Sequence, residues 1–355
     1  MLGIVHATVS VGVRQMCCRV GIHQQGFVKA AEHLKALAQL RLSPERVRRL
    51  AQAEGRQVQA RQADGQVPSD LSVETARTKA GGPSRVYVGA DGVKVPMVTQ
   101  QEKAQRRQRR RRRKSGSTGP VRRMHRGADN AYKEFKIATL YEESNTHRLV
   151  VGTAGDHQVL GRLLRRQAAA IALDQFDQKL AIADGADWID RQLKVRLPML
   201  DERILDFYHF SEHVWQGANG CFGLGTEKAQ SLGQTLLHAA KHEGIAEVLG
   251  TLGLERKLHR AGSRGRQALD GLLQYLTKRA SQCEYPRYLA AGYQIGSGPT
   301  EAMCKVLTYR LKGPGMRWDK EGAEPMMALL ALEQSNAWDS YWQSQYRAAQ
   351  PCQKT

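Results

Sequence analysis

Several things are scarce in this chain of 355 residues, and each scarcity removes a class of protein. No apolar run reaches the length of a transmembrane helix, so no membrane span is expected. The opening stretch MLGIVHATVS lacks a basic n-region followed by a long apolar h-region, so no secretory signal is expected either. The six cysteines (Cys17, Cys18, Cys221, Cys283, Cys304 and Cys352) form no C-x-x-C pair and no regular spacing. That argues against structural zinc and against a disulfide framework, and points to a reducing, intracellular compartment. Aromatic residues are few, at 6%. Acids are in deficit: 34 Asp and Glu against 54 Lys and Arg leave a net charge of +20. Such an excess fits a polyanionic partner, nucleic acid first and a membrane surface a weaker second. Hydrophobic residues at 41% and charged residues at 25% suit a folded chain of about two domains with a substantial core.

The basic excess is concentrated. Residues 106–126, RRQRRRRRKSGSTGPVRRMHR, hold eleven Arg and Lys and no acid, and without them the net charge is +9. Eight like charges within Arg106–Lys114 repel one another, so a mobile loop over 103–127 is expected. Its functional reading is an arm that contacts phosphates, with Arg109, Arg110, Arg111, Arg112 and Arg113 foremost; its plain reading is a solvated loop or a localisation signal.

The first 58 or so residues read as helical. Phe27, Ala30, Ala31, Leu34 and Leu37 recur at helical spacing. After a short turn, Ser43 suits an N-cap, Pro44 the first helical position and Glu45 the positive end of the dipole. Val47 and Leu50 would face inward, with Arg46, Arg48 and Arg49 mostly outward. Two helices joined by a tight turn, the second basic, form a helix-turn-helix-like pattern for DNA, against the alternative of an ordinary helical hairpin. Residues 59–83, polar and rich in Gln, Gly and Ala, read as a linker.

From Arg85 the period shortens to two. RVYVGAD, YKEFKIATLY, HRLVVGTAG, KLAIADG and ERILDFYHF read as strands, with helices at DHQVLGRLLRRQAAAIALDQF and after Asp187, which makes an α/β layer. From 210 to about 293 only helical patterns occur, in FSEHVWQGA, TEKAQSLGQTLLHAAKHEGIAEVLG and GRQALDGLLQYLTKRASQC.

Two of the strands run into Ala-Asp-Gly, at Asp91 and at Asp184. A third Ala-Asp-Gly, at residues 63–65, follows no strand, and Asp-Gly is an ordinary turn dipeptide, so the tripeptide alone carries little. Far downstream, GSGPTEAMCKVLTYRLKG opens a helix with Pro299 at its first position and Glu301 at its third. A glutamate there can simply cap the helix. The same helix places Glu301, Lys305, Thr308 and Lys312 on one face, with Met303, Val306, Leu307 and Leu311 free to pack behind. Three carboxylates, Asp91, Asp184 and Glu301, can hold Mg²⁺ or Mn²⁺ through oxygen, and two such ions serve in-line phosphodiester displacement. Lys305 and Lys312 would follow a nucleic-acid backbone.

GADGVKVP, YKEFKIATLY after a basic insertion, LAIADGADWI, LDFYHFSEHVW and above all IGSGPTEAMCKVLTYRLKGPGMRWDKEGAE with the trailing WDSYW resemble the DDE transposases of bacterial insertion sequences. The nearest group is the Kra insertion-sequence family, related to Mutator-type elements. The resemblance spans about residues 85–342 and implies a ribonuclease-H-like catalytic domain with an all-helical insertion, preceded by the small helix-turn-helix-like region. The implied organisation is 1–58 DNA-binding helices, 59–83 linker, 84–209 first part of the catalytic core, 210–293 helical insertion, 294–345 second part of the core, and 346–355 tail.

That resemblance implies Asp91, Asp184 and Glu301 as catalytic metal ligands for two Mg²⁺ or Mn²⁺ ions. It draws in Asp206 and His209 of LDFYH as supporting residues. Residue by residue, Asp206 reads as a local cap or local pair, and His209 with His213 at i, i+4 as helix polar residues that lack a third ligand for zinc. The implied activity is cleavage at the terminal inverted repeats of an element followed by strand transfer to target DNA, without a covalent enzyme intermediate. A homodimer or larger assembly on DNA and a cytoplasmic, nucleoid-associated place in a bacterium go with it. Members of that group usually carry more chain ahead of the first helices, so the chain reads as either a truncated copy or one with a late start. Two other readings stand beside this one: a transposase-derived DNA-binding protein without catalysis, and a metal-dependent nuclease that does not join strands.

Overall fold

The computed structural model describes residues 9–114, 116, 133–313, 316 and 318–349. The elements run α1 (Val11–His23), α2 (Phe27–Ala38), α3 (Pro44–Ala63), β1 (Arg85–Val95), α4 (Gln100–Lys114), β2 (Lys133–Tyr141), β3 (Arg148–Thr153), α5 (His157–Ala170), β4 (Gln178–Ala183), α6 (Asp187–Arg196) and β5 (Glu202–Leu205). A helical series follows: α7 (Phe207–Phe222), α8 (Glu227–His242), α9 (Ile245–Lys257), α10 (Arg264–Lys278), α11 (Tyr285–Ala290), α12 (Gly298–Lys312), α13 (Lys320–Gln334) and α14 (Trp338–Ala348). The class is mixed α/β, with one five-stranded mixed sheet in the order β3-β2-β1-β4-β5. β2 and β3 pair antiparallel, while β1/β4 and β4/β5 pair parallel, the last through the crossover helix α6. No described helix is long and apolar enough to cross a membrane.

The chain divides into two compact units. One comprises residues 1–76, 91–175 and 299–355, the other residues 77–90 and 176–298.

In the first unit, β2 is buried along Phe135–Tyr141. β3 lies at the end of the sheet order, where unpaired amides would invite further pairing. One of its amides and the first beyond it are covered: Val150 N donates to Ser335 Oγ at 2.8 Å, and Ala154 N, just past the strand, to Glu324 Oε1 at 2.7 Å. Both acceptors come with α13, so this helix closes the sheet edge. The other face of α13 meets α3. A Cβ on Gly55 would lie 2.2 Å from the carbonyl oxygen of Pro325, so only glycine lets the two helices approach this closely. Beside it Glu54, 1% exposed, accepts from Arg14 Nη1 at 2.9 Å and from Tyr341 Oη at 2.6 Å. Gly55→Ala is therefore expected to destabilise the fold by about 2 kcal/mol or more, since backbone must move to admit the methyl group. Its urea midpoint should fall with its m-value unchanged.

This packing corrects the expected organisation of the N-terminus. α1–α3 belong to the same unit as α12–α14, and α3 continues to Ala63 instead of giving way to a linker at residue 59. Val67, Leu71 and Ala76, in the stretch read as linker, are buried. The composition there is polar, but its few apolar side chains are anchored. The Asp-Gly of residues 64–65 ends α3, with Asp64 as its C-cap and Gly65 at φ +68°.

The expected basic loop is also corrected over the part that is described. Residues 103–114 are helical, in α4. Thr99 Oγ1 accepts from Glu102 N at 3.1 Å, Glu102 pairs with Arg106, and Asp319 pairs with Lys103, so acids at the start of the helix offset its charge. The side chain of Arg113, and residues 115 and 117–127 of the expected loop, lie outside the described residues.

In the second unit, β1 and β4 register Arg85–Gly89 against Gln178–Ile182. β5 ends at Leu205, so FYHF does not extend the strand; it begins α7. The reason is Asp206, whose Oδ1 accepts from the amides of Tyr208 (2.6 Å) and His209 (3.0 Å). The long helical pattern 227–257 is broken in two at Gly244, φ +106°.

Candidate active site

Within the first unit, Asp91 and Glu301 converge on one residue. Asp91 is half-buried in β1, and its Oδ1 accepts from the amide of Gly92 at 2.5 Å. A Cβ on Gly92 would meet Glu134 Oε1 at 2.5 Å, so the Glu134 side chain would have to shift to admit one. Glu134 in turn pairs with Lys136. Glu301 stands half-buried in the first turn of α12, whose start is tied to β2 by a buried hydroxyl pair, Thr139 Oγ1 to Thr300 Oγ1 at 2.7 Å. One turn after Glu301 comes Cys304, 4% exposed. Burial pushes its thiol well above the ordinary range, and the charge of Asp91, a hydrogen bond to Asp91 and the charge of Glu301 add to the shift. Both acids thus act on the same sulfur and favour its protonated form.

Lys305 and Lys312 are exposed on α12, as expected. Thr308 is not: it is fully buried, and its hydroxyl donates to the Cys304 carbonyl at 2.6 Å. A side chain that satisfies its own helix can turn inward, so the stripe of Glu301, Lys305, Thr308 and Lys312 is interrupted.

In the second unit, Asp184 follows β4. Its Oδ1 accepts from Ala186 N at 2.8 Å, and Gly185 adopts φ +80°. α10 fixes this turn. Arg279, just past its end, donates to the Gly185 carbonyl from Nε (3.0 Å) and Nη2 (2.6 Å), and from Nη2 to Asp187 at 3.2 Å. Tyr275 Oη donates to the Asp184 carbonyl at 3.4 Å. The Arg279 guanidinium lies 4.1 Å from the Tyr275 ring centre, and His213 stacks on that ring at 3.7 Å. Burial pushes the Tyr275 phenol up to about 12. Burial, then the Arg279 and His209 charges, lower the His213 imidazole.

Asp206 is fully buried and acts as a cap, with Oδ2 also receiving the amide of Ser297. That is the local role read from the residues. His209 Nδ1 faces Glu212 Oε2 at 3.3 Å. Among the described residues no group of three or more His, Cys, Asp and Glu is arranged to hold a metal ion.

Of the expected DNA-contacting residues, Arg46 is exposed. Arg48 and Arg49 are drawn onto Glu45, at 2.6 and 2.9 Å, and Arg48 also donates to Gln52 at 2.5 Å. Hydrogen bonding from Arg48, above all, lowers the Glu45 carboxyl to about 2. Arg110, Arg111 and Arg112 are exposed on α4 and Arg109 is half-buried. Reading the sequence missed Cys304, Tyr275 and Arg279. Only Cys304 carried a signal, its place three residues after Glu301.

No family model matches the chain, and no curated protein matches it. Among solved structures it is similar to the Drosophila P element transposase strand transfer complex, at 9% identity and a TM-score of 0.31, covering 96% of this chain and 82% of that one. A likeness at that level fixes neither the fold family nor the activity.

Proposed function

We propose that the chain is a DDE-type transposase of the Kra, Mutator-related kind, with Asp91, Asp184 and Glu301 as its catalytic carboxylates. The observation that supports it best is the convergence of Asp91 and Glu301, distant in sequence, on the buried Cys304. Asp184 is included because it, like Asp91, stands two residues past the last paired residues of the β1/β4 ladder, Ile182 and Gly89. The mixed five-stranded sheet is compatible with a ribonuclease-H-like layer.

The donor set suits Mg²⁺ or Mn²⁺, because the acids offer hard oxygen ligands. Two such ions, when bound, activate a water or a 3′-hydroxyl and stabilise the leaving oxygen. The chain's own part is to hold the carboxylates on rigid elements and to bind DNA. Arg110, Arg111 and Arg112 on α4, with Lys305 and Lys312 on α12, attract the phosphate backbone. Arg46 is exposed on α3 and adds a further cation, while Arg48 and Arg49 are drawn onto Glu45.

The test uses purified protein, Mg²⁺ and duplexes taken from the ends of the DNA flanking the gene, with a supercoiled plasmid as target. Nicks that leave 3′-hydroxyls, followed by joined products, are expected. Cleavage without joining would identify a nuclease. Binding without cleavage in either Mg²⁺ or Mn²⁺ would identify a DNA-binding protein and end the catalytic reading.

A further inference from the structure

Beyond the two lysines, the exposed face of α12 carries an aromatic ring. Lys305, Tyr309 and Lys312 follow one another at i, i+4 and i+7, all exposed, while Leu307 and Leu311 on the opposite side are fully buried. Tyr309 is 65% exposed. Its ring is steadied by Gln25, in the turn between α1 and α2, whose Nε2 donates to Tyr309 Oη at 3.5 Å.

A single exposed tyrosine is ordinary on a protein surface. Its setting distinguishes this one. Tyr208 is as bare, at 71%, but it sits between the capping Asp206 and an exposed Glu212, where a polyanion would be repelled. Tyr309 instead lies between two cations that are about 10 Å apart along the helix, and about 12 Å beyond Glu301 on the same rigid element. A flat π-face flanked by ammonium groups is the arrangement that takes an unpaired base on the ring and its neighbouring phosphates on the cations. The Gln25 amide adds a donor and an acceptor at the ring's edge.

We infer that Tyr309, with Lys305 and Lys312, forms a binding site for single-stranded DNA, stacking one unpaired nucleobase. The site rests on DNA being the partner, as in the proposed function, but not on cleavage. In that function it would hold a nucleotide unpaired beside the helix that bears Glu301. Stacking on a ring is indifferent to base identity, so the site favours unpaired over paired DNA without choosing a sequence.

The experiment measures fluorescence anisotropy of a short fluorescein-labelled single strand, and separately of its duplex, with Ca²⁺ in place of Mg²⁺. Tyr309→Ala should weaken single-strand binding about tenfold and leave duplex binding within about twofold. Tyr309→Phe and Tyr309→Trp should bind the single strand as the parent does. Lys305→Ala and Lys312→Ala should each weaken both forms and reduce the single-strand salt slope by about 0.7. If Tyr309→Ala binds the single strand like the parent, or loses both forms equally, the stacking site is wrong while the transposase reading stands. A parent that binds neither form overturns both. A parent that binds as described but never cuts leaves the stacking site in place and removes only the catalytic reading.

Discussion

Asp184→Asn is expected to reduce DNA cleavage by about a thousandfold or more while leaving DNA affinity within about twofold. The substitution keeps the shape of the side chain and removes its charge. An asparagine oxygen can still accept the Ala186 amide, so the turn after β4 should survive, and the melting temperature should stay close to the parent's. What is lost is the charge that helps hold a divalent cation against a phosphodiester. Asp91→Asn and Glu301→Gln should behave alike, because residues that form one site fail together. The double variant Asp184→Asn/Glu301→Gln should be no worse than either single one. A quantitative gel assay of nicked product, run beside anisotropy with the same duplex, separates the outcomes. An Asp184→Asn protein that cuts as well as its parent removes Asp184 from the catalytic set. Multiplicative losses in the double variant would place the two acids in independent roles.

What reading the sequence could and could not supply follows from how far each interaction reaches along the chain. Ser43, Pro44 and Glu45 act within one helical turn, and the structure starts α3 at Pro44 with Ser43 Oγ accepting from Arg46 N. Asp206 is as local, and its reading as a cap was available from its neighbours. The same cap explains why LDFYHF was misread, since apolar residues on both sides of Asp206 mimic one continuous strand. The fate of Arg48 and Arg49 was half visible, because Glu45 lies three and four residues before them, where such pairs meet on a helix. Repulsion among the arginines of residues 106–114 argued for a loop, but the offset comes partly from Asp319, more than two hundred residues away in sequence. Nothing near Gly55 announces that Pro325 will press against it. Cys304 and Asp91 are likewise joined only by the fold. Asp184 and Glu301 were legible as candidates because a strand end and a helix start are local features, whereas the strand end expected at Asp91 is not there, since β1 runs on through it to Val95. Which groups hold those acids in place was not legible, because Arg279 and Tyr275 lie about ninety residues from Asp184.

Those two residues carry the second large prediction, in which cleavage should depend on how the turn after Asp184 is held. Gly185 is required twice over. Its φ of +80° is strained for any residue with a Cβ, and an added Cβ would lie 2.7 Å from Leu205 Cδ1, 2.8 Å from Arg279 Nε and 3.0 Å from Tyr275 Oη. Gly185→Ala must therefore push Arg279 and Tyr275 aside, and with them the carboxylate one residue earlier. A displacement of about 1 Å can cost a hundredfold in rate when the reacting groups need fixed positions. Arg279→Ala reaches the same turn without straining the backbone, since it removes both hydrogen bonds to the Gly185 carbonyl and the contact with Asp187. Arg279→Lys keeps the charge but cannot supply the forked pair of donors, so it should fall between the parent and Arg279→Ala. If Arg279 positions Asp184, all three variants need more Mn²⁺ for half-maximal cleavage, in the order Lys, then Ala at Arg279, then Ala at Gly185. Direct Mn²⁺ binding, followed by electron paramagnetic resonance, should weaken in the same order and needs no activity. If Arg279 serves only to pack α10, its substitution lowers the melting temperature and leaves the Mn²⁺ midpoint where it was. A rate that falls with an unshifted Mn²⁺ midpoint would place the effect of Arg279 somewhere other than at Asp184.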